Sequence, residues 1–234
     1  MQVCQNSLTQ TLLSQNVLAI YVLKSGLLLR HWKQKETDMK ETLTPTTGEL
    51  LDIVDMYGEP TGEVLDKQTI HNQGLPHRDV HVWLTNGREI LQQQRRHDKS
   101  IMPGEWDISV GGHVGTGESY KRAAVRETGE ELGLWLPEDK FIRIGRMATQ
   151  LEFPGWNCAH NIIGDNFVVV EPDLILDDLK LQTSEVADAR WYTLDQLEED
   201  LLCPETANRH APQPIALYAL GLAGMRGASV TFAS

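Results

Sequence analysis

The chain has 234 residues and a mass of 26.3 kDa, enough for one ordinary domain with or without an extension but not for two full-sized enzyme domains. Its 41% hydrophobic and 23% charged fractions exclude a disordered, collagen-like or membrane-embedded chain. A formal net charge of -12 opposes non-specific attraction to nucleic acid or to an anionic membrane, so a small anionic substrate would need a metal or a focused basic patch.

Residues 1–45 read as a loosely attached N-terminal extension, Gln/Ser/Leu-rich and then charged from Lys33 to Glu41, with Met39 as a candidate internal start; residues 46–234 read as the folded domain. The apolar stretch from Val17 to Leu23 is broken by Lys24 and Ser25 and has no basic region before it, which suits neither a bilayer span nor a signal peptide. Cys4, Cys158 and Cys203 are odd in number and far apart, against a disulfide framework or structural zinc and in favour of the reducing cytoplasm.

Leu50 to Val54 patterns as a strand that ends in the turn signal Tyr57-Gly58-Glu59-Pro60. A second strand is expected from Asp79 to Thr85, closed by Asn86-Gly87 in a type I′ hairpin onto Glu89 to Gln94. Trp106 to Val110 reads as a strand running into a glycine-dense loop from Gly111 to Gly117. Glu118 to Leu132 is helical and stops at Gly133, a normal left-handed cap. Later strands are expected at Phe141 to Met147, Asn161 to Val170 and Ala189 to Tyr192, with helices at Leu194 to Leu202 and Pro214 to Gly224. Hairpins mixed with helical connections predict an α/β (α+β) sandwich, a mixed sheet flanked by helices.

The helix after the glycine loop carries Arg126-Glu127-Thr128-Gly129-Glu130-Glu131. Residues three and four apart on a helix share a face, so Glu127, Glu130 and Glu131 are expected to stack and repel. A hard divalent cation is one answer, since Mg2+ takes oxygen ligands; a solvated acidic face is the other. Arg126, four residues before Glu130, offsets only part of the charge.

Gly112, five residues, Glu118, seven residues, Arg126-Glu127, Glu130-Glu131, Gly133 and Leu134 together resemble the signature of the Nudix hydrolases. Seven fixed residues in one register, each at roughly 7% usage, arise by chance at about 10⁻⁸. The one departure is Thr128 where an aliphatic residue is usual, which touches packing more than catalysis. The resemblance implies a Nudix-type sandwich with a catalytic loop-helix-loop that hydrolyses a diphosphate linkage in a small molecule, with Mg2+ or Mn2+. Glu127, Glu130, Glu131, Glu118 and the carbonyl of Gly112 would hold the metal. Glu127, Glu130 and Arg126 would carry catalysis. Arg95-Arg96, at the end of a strand, either grip substrate phosphates or form a solvated charge pair, and His113 is a further candidate substrate contact. Glu118 would hold the loop through Arg126 or join a second metal.

From Leu51 to about Leu202 the chain also resembles a narrower branch of the superfamily, the type 1 isopentenyl diphosphate isomerases and related hydrolases. The residues in point are His71, His77-Arg78-Asp79-Val80-His81-Val82, Gln94-Arg95-Arg96, Pro103-Gly104-Glu105-Trp106 and Gly112-His113. The isomerases hold a metal with histidines matching His71, His77 and His113. They also need a cysteine where this chain has Gly111, and a carboxylate pair that shrinks here to Asp165. The resemblance therefore points to hydrolysis rather than isomerisation, with a non-catalytic ligand-binding module as a further alternative. Glu185 is a candidate metal neighbour and Trp156 a candidate base-stacking residue. Residues 60–78 and 148–165 are expected to be the specificity loops. Substrate identity and homodimerisation stay open.

Overall fold

The computed structural model describes residues 48–99, 101–153 and 158–232. The N-terminal extension, Met39 and Trp156 lie outside them. Among the described residues, no helix is long and apolar enough to cross a membrane.

Strand β1 (Leu50–Val54) forms a hairpin with β2 (Pro60–Asp66), and helix α1 (Lys67–Gln73) follows at once. Asp66 caps α1 by accepting from Thr69 N at 3.0 Å, and Gly74, at φ 63°, ends it in the left-handed conformation. Residues 60–78 are thus a strand, a capped helix and the start of β3 rather than a loop. The apolar period is too short there to reveal a seven-residue helix built by its caps.

The second sheet runs β5-β4-β3-β8-β7, with β6 paired to β3 and β9 to β4. Its members are β3 (Pro76–Thr85), β4 (Glu89–Arg95), β5 (Trp106–Asp107), β6 (Val110–His113), β7 (Ile142–Phe153), β8 (Cys158–Val170) and β9 (Val186–Thr193). β3 pairs with β8 in parallel over its whole length, Pro76 opposite Asn161 to Thr85 opposite Val170. That central position explains why all of β3 is buried despite its alternating sequence. One face packs Val80, Val82 and Leu84 against Ala123, Ala124 and Leu132 of helix α2 (Tyr120–Leu132). The other packs Trp83 against Leu217, Tyr218 and Leu222 of the C-terminal helix.

Other expectations change too. In the second expected specificity loop, 148–165, residues 148–153 belong to β7 and 158–165 to β8, paired antiparallel. The strand from Trp106 breaks after Asp107, because β5 pairs with β4 while β6 crosses to β3. Gly111 and Gly112 accordingly belong to β6, not to a loop. The Asn86 hairpin is not type I′: only Gly87 has a positive φ, and the Asn86 side chain instead accepts from the backbone N–H groups of Arg88 and Glu89. Helices α3 (Leu194–Leu202), α4 (Pro204–Ala207) and α5 (Ile215–Phe232) close the chain, α5 running eight residues past the expected Gly224.

Candidate active site

Helix α2 begins where Ser119 accepts from Arg122 N and ends at Gly133 in the left-handed conformation. The turn before it is fixed from several sides. Glu118 accepts from Gly115 N at 3.1 Å, and Thr116 Oγ1 donates to Leu50 O at 3.1 Å. Arg78 and Gly117 N both donate to Asp52. Thr128 is fully buried and satisfies its hydroxyl on Ala124 O at 2.7 Å, so a polar residue sits in the core at little cost.

Arg126 organises the carboxylates. Its guanidinium donates to Glu118 at 2.9 and 3.1 Å, to Glu127 at 2.7 Å, to Glu130 at 3.2 Å and to the carbonyl of His113 at 2.9 Å. Hydrogen bonding to Glu118 is the main reason the Arg126 pKa is raised. Burial works to raise the Glu118 pKa, but the hydrogen bonds from Arg126 and Gly115 hold it below the ordinary value. Glu131 turns instead toward Gln93, whose Nε2 donates to it at 2.9 Å. The three helix glutamates are therefore divided rather than stacked, with Glu127 and Glu130 on Arg126 and Glu131 on Gln93.

The charge is not fully offset. Burial pushes Glu127 up to about 7 and Glu131 up to about 8, and in Glu131 the neighbouring Glu127 adds to the shift. Gly112 completes this corner, because a Cβ there would collide with the Glu127 carboxyl. Crowded oxygen donors that resist ionisation, beside a backbone cradle a side chain would fill, fit a hard divalent cation.

Across the sheet lies a second cluster. His71 from α1, His77 from β3 and His113 from β6 form, among the described residues, the one group of three whose ligand atoms lie within 4.8 Å of one another. His71 Nε2 and His113 Nε2 are 3.1 Å apart, and the His160 ring stacks on His71 with centroids at 4.5 Å. His77 Nδ1 bonds to Leu75 O, which leaves Nε2 buried without a protein partner and available to a metal. Burial drives His71 to about 3, with His160 and His77 adding to the shift, so these rings stay neutral. Neutral imidazoles on three elements suit a borderline transition ion better than Mg2+.

The cations divide as well. Arg95 lies within electrostatic reach of both Glu131 and His160. Arg96 turns away to Asp98 and to the carbonyl of Thr183. Glu185 pairs with Lys99 at 2.6 Å, although it is near enough to raise Glu131. Asp165 sits on the α2 side of the sheet, held by both Arg143 and Arg146.

Three residues at the site were given no role in the sequence reading. Asp79 lies 3.8 Å from His113 and is pushed well above the ordinary carboxylate range by burial. Lys67, 3.0 Å from Glu49, acts electrostatically on the whole histidine cluster. His160 is the third. The alternation of β3 could have placed Asp79 beside His77; no local signal marks Lys67 or His160.

The NUDIX domain family matches residues 75–213. The chain is 32% identical over 151 residues to Nudix hydrolase 3 of Arabidopsis thaliana, a match that covers 63% of this chain and only 20% of that protein. It is 33% identical over 148 residues to an uncharacterised Nudix hydrolase of Listeria monocytogenes, covering 63% of this chain and 81% of the relative. An isopentenyl-diphosphate Delta-isomerase of Rhodobacter capsulatus is 26% identical over 150 residues, covering 64% and 82%. The fold is shared with a crystal structure from Deinococcus radiodurans at a TM-score of 0.50 and 20% identity, covering 73% of this chain and 97% of that one. With Glu118, Glu127 and Glu130 gathered on Arg126 in the middle of the signature helix, and residues 75–213 matched by the family, the chain belongs to the Nudix family.

Proposed function

We propose that the protein is a Mg2+-dependent pyrophosphohydrolase that cleaves the diphosphate linkage of a nucleoside diphosphate derivative or an isoprenoid diphosphate by attack of water on phosphorus. The observation that carries this reading is the corner formed by Gly112, Glu127 and Arg126, where carboxylates crowd against bare backbone. Glu127, Glu130 and Glu131, with the carbonyl of Gly112, hold the cation; when bound, it polarises the phosphoryl oxygens and lowers the pKa of water. Glu118 locks the loop. Arg126 spaces the carboxylates, and Glu127, at about 7, is suited to accept a proton from water. The charges of Arg95 and Lys67, which act on Glu131 and on the histidines, would draw the diphosphate in, with Arg95 Nε bonded to Ile101 O and Lys67 paired with Glu49, whereas Arg96 is held by Asp98. His71, His77 and His113 make a second metal set. The net charge of -12 supports a small-molecule substrate over a nucleic-acid polymer.

Isomerisation is disfavoured by two features of the chain. Gly111 supplies no thiol, and Asp165 is spent on Arg143 and Arg146 across the sheet from the histidines. The test is phosphate or pyrophosphate release with Mg2+ and then Mn2+, using nucleotide sugars, dinucleoside polyphosphates, oxidised nucleotides and isopentenyl diphosphate, with Glu131→Gln alongside. Metal-dependent release that the variant loses is the expected result. Silence across the panel, or equal release by the variant, would remove the assignment.

A further inference from the structure

The catalytic loop is held by a residue that lies ahead of residues 75–213, the part matched by the family. Asp52, in the middle of β1, is 7% exposed, and its Oδ2 accepts from Arg78 Nη2 at 2.8 Å and from Gly117 N at 3.1 Å. Arg78 Nη2 also reaches the carbonyl of Gly115 at 3.4 Å, and the Arg78 carbonyl accepts from Val114 N at 2.9 Å. Gly115 N in turn donates to Glu118, which carries two hydrogen bonds from Arg126, which holds Glu127 and Glu130. A continuous chain of short polar contacts therefore runs from β1 to the glutamates.

Stability alone does not account for this pair. Both side chains are 8% exposed, and taking two charges out of water offsets most of their attraction unless every remaining polar group is satisfied. Here Arg78 Nε is buried without a partner. What the pair does is fix a turn: it engages the backbone at Gly115 and Gly117, on either side of Thr116, whose hydroxyl bonds to Leu50 O on the same strand. The Arg78 guanidinium also lies 5.4 Å from the ring of Tyr120, the first residue of α2. Displacement of this turn would carry Glu118 with it, and Arg126 would lose both of its hydrogen bonds to that carboxylate.

We propose that Asp52 is a positioning residue for the hydrolysis: through Arg78 and the backbone of Gly115 and Gly117 it sets the loop that presents Glu118 to Arg126, and so the spacing of Glu127 and Glu130. The inference rests on the hydrolase reading above. It makes the β1–β2 hairpin part of the catalytic apparatus rather than an appendage to the matched domain.

The test compares wild type, Asp52→Asn, Arg78→Lys and Thr116→Val in the full chain. Diphosphate hydrolysis is measured against Mg2+ concentration, and Mn2+ binding is followed by electron paramagnetic resonance without substrate. Asp52→Asn is expected to lower kcat at least tenfold and to raise the half-saturating Mg2+ concentration several-fold, with KM within twofold. Arg78→Lys follows it, and Thr116→Val, at an exposed contact that does not threaten folding, gives a smaller shift in the same direction. Combining Asp52→Asn with Glu118→Gln should add little to Glu118→Gln alone, since both act through one path. Folded variants with a lowered Tm but unchanged kcat and metal response would overturn the proposal, as would full additivity with Glu118→Gln. If the wild type hydrolyses nothing, the hydrolase reading fails on its own, and Mn2+ binding still decides: weakening in Asp52→Asn supports the positioning role, and wild-type binding overturns it.

Discussion

The carboxylate corner and the histidine cluster handle buried ionisable groups in opposite ways. At the corner, four glutamates come from a single stretch of chain, and an arginine from the same helix binds three of them while Gln93 binds the fourth. In the cluster, rings from α1, β3, β6 and β8 meet across the sheet, and burial keeps them uncharged. One site manages charge by local pairing, the other by staying neutral. The difference teaches why a metal would be bound differently at each: at the corner it competes with Arg126, whereas in the cluster it meets a preformed nitrogen set.

The largest effect should come from Glu131→Gln, which removes a ligand charge from the corner. A loss of at least about a hundredfold in metal-dependent turnover, beyond what outer-shell changes typically cost, is expected in steady-state assays with the fold retained by circular dichroism. Gly112→Ala is next. The added methyl meets the Glu127 carboxyl, so turnover should fall at least tenfold while melting registers an overpacking cost of about 1–3 kcal/mol. Mn2+ uptake by the histidines should survive both changes; its loss would mean that the two regions are one site.

Smaller effects sharpen the contrast. Arg95→Ala should raise KM several-fold, since the Arg95 charge acts on Glu131, whereas Arg96→Ala should leave it within twofold because Arg96 is committed to Asp98. Equal effects in the two variants would place both guanidiniums on the substrate. The neutral histidines predict acid sensitivity. Burial lowers His81 to about 4 from an unfolded value of 6.5, so the unfolded chain binds the proton first as pH falls. The stability this residue contributes at neutral pH is therefore lost progressively from about 6.5 down to 4, on the order of 1 kcal/mol by pH 5.5. Chemical denaturation at pH 7 and 5.5 should show that loss in wild type and a shallower one in His81→Phe; identical slopes would mean that His81 titrates normally.

Much of the fold was legible where a local rule sets the structure. The helix from Ser119 to Gly133 follows from its caps and its apolar face, and Leu194–Leu202 from Thr193 and an amphipathic run. At the carboxylate corner helical spacing accounts for Glu127 and Glu130 meeting Arg126, but the same spacing predicted Glu131 beside them, and Glu131 turns to Gln93 on a distant strand instead. What could not be read depends on pairing between distant segments. The break between β5 and β6 arises because two partners pull consecutive residues apart, and α1 hides in seven residues defined by Asp66 and Gly74. Arg96 is held in part by the carbonyl of Thr183, a partner far along the chain that the sequence around Arg96 does not announce. His160 joins His71 only because β8 runs parallel to β3, a register that nothing in either strand announces.

The most direct test of the division between the two regions is a Mn2+ titration of the metal-free protein by electron paramagnetic resonance, on wild type, Glu131→Gln and His113→Ala. Two classes of bound ion are predicted, with Glu131→Gln removing one and His113→Ala the other, each leaving its counterpart intact. A single class abolished by either substitution would contradict the account.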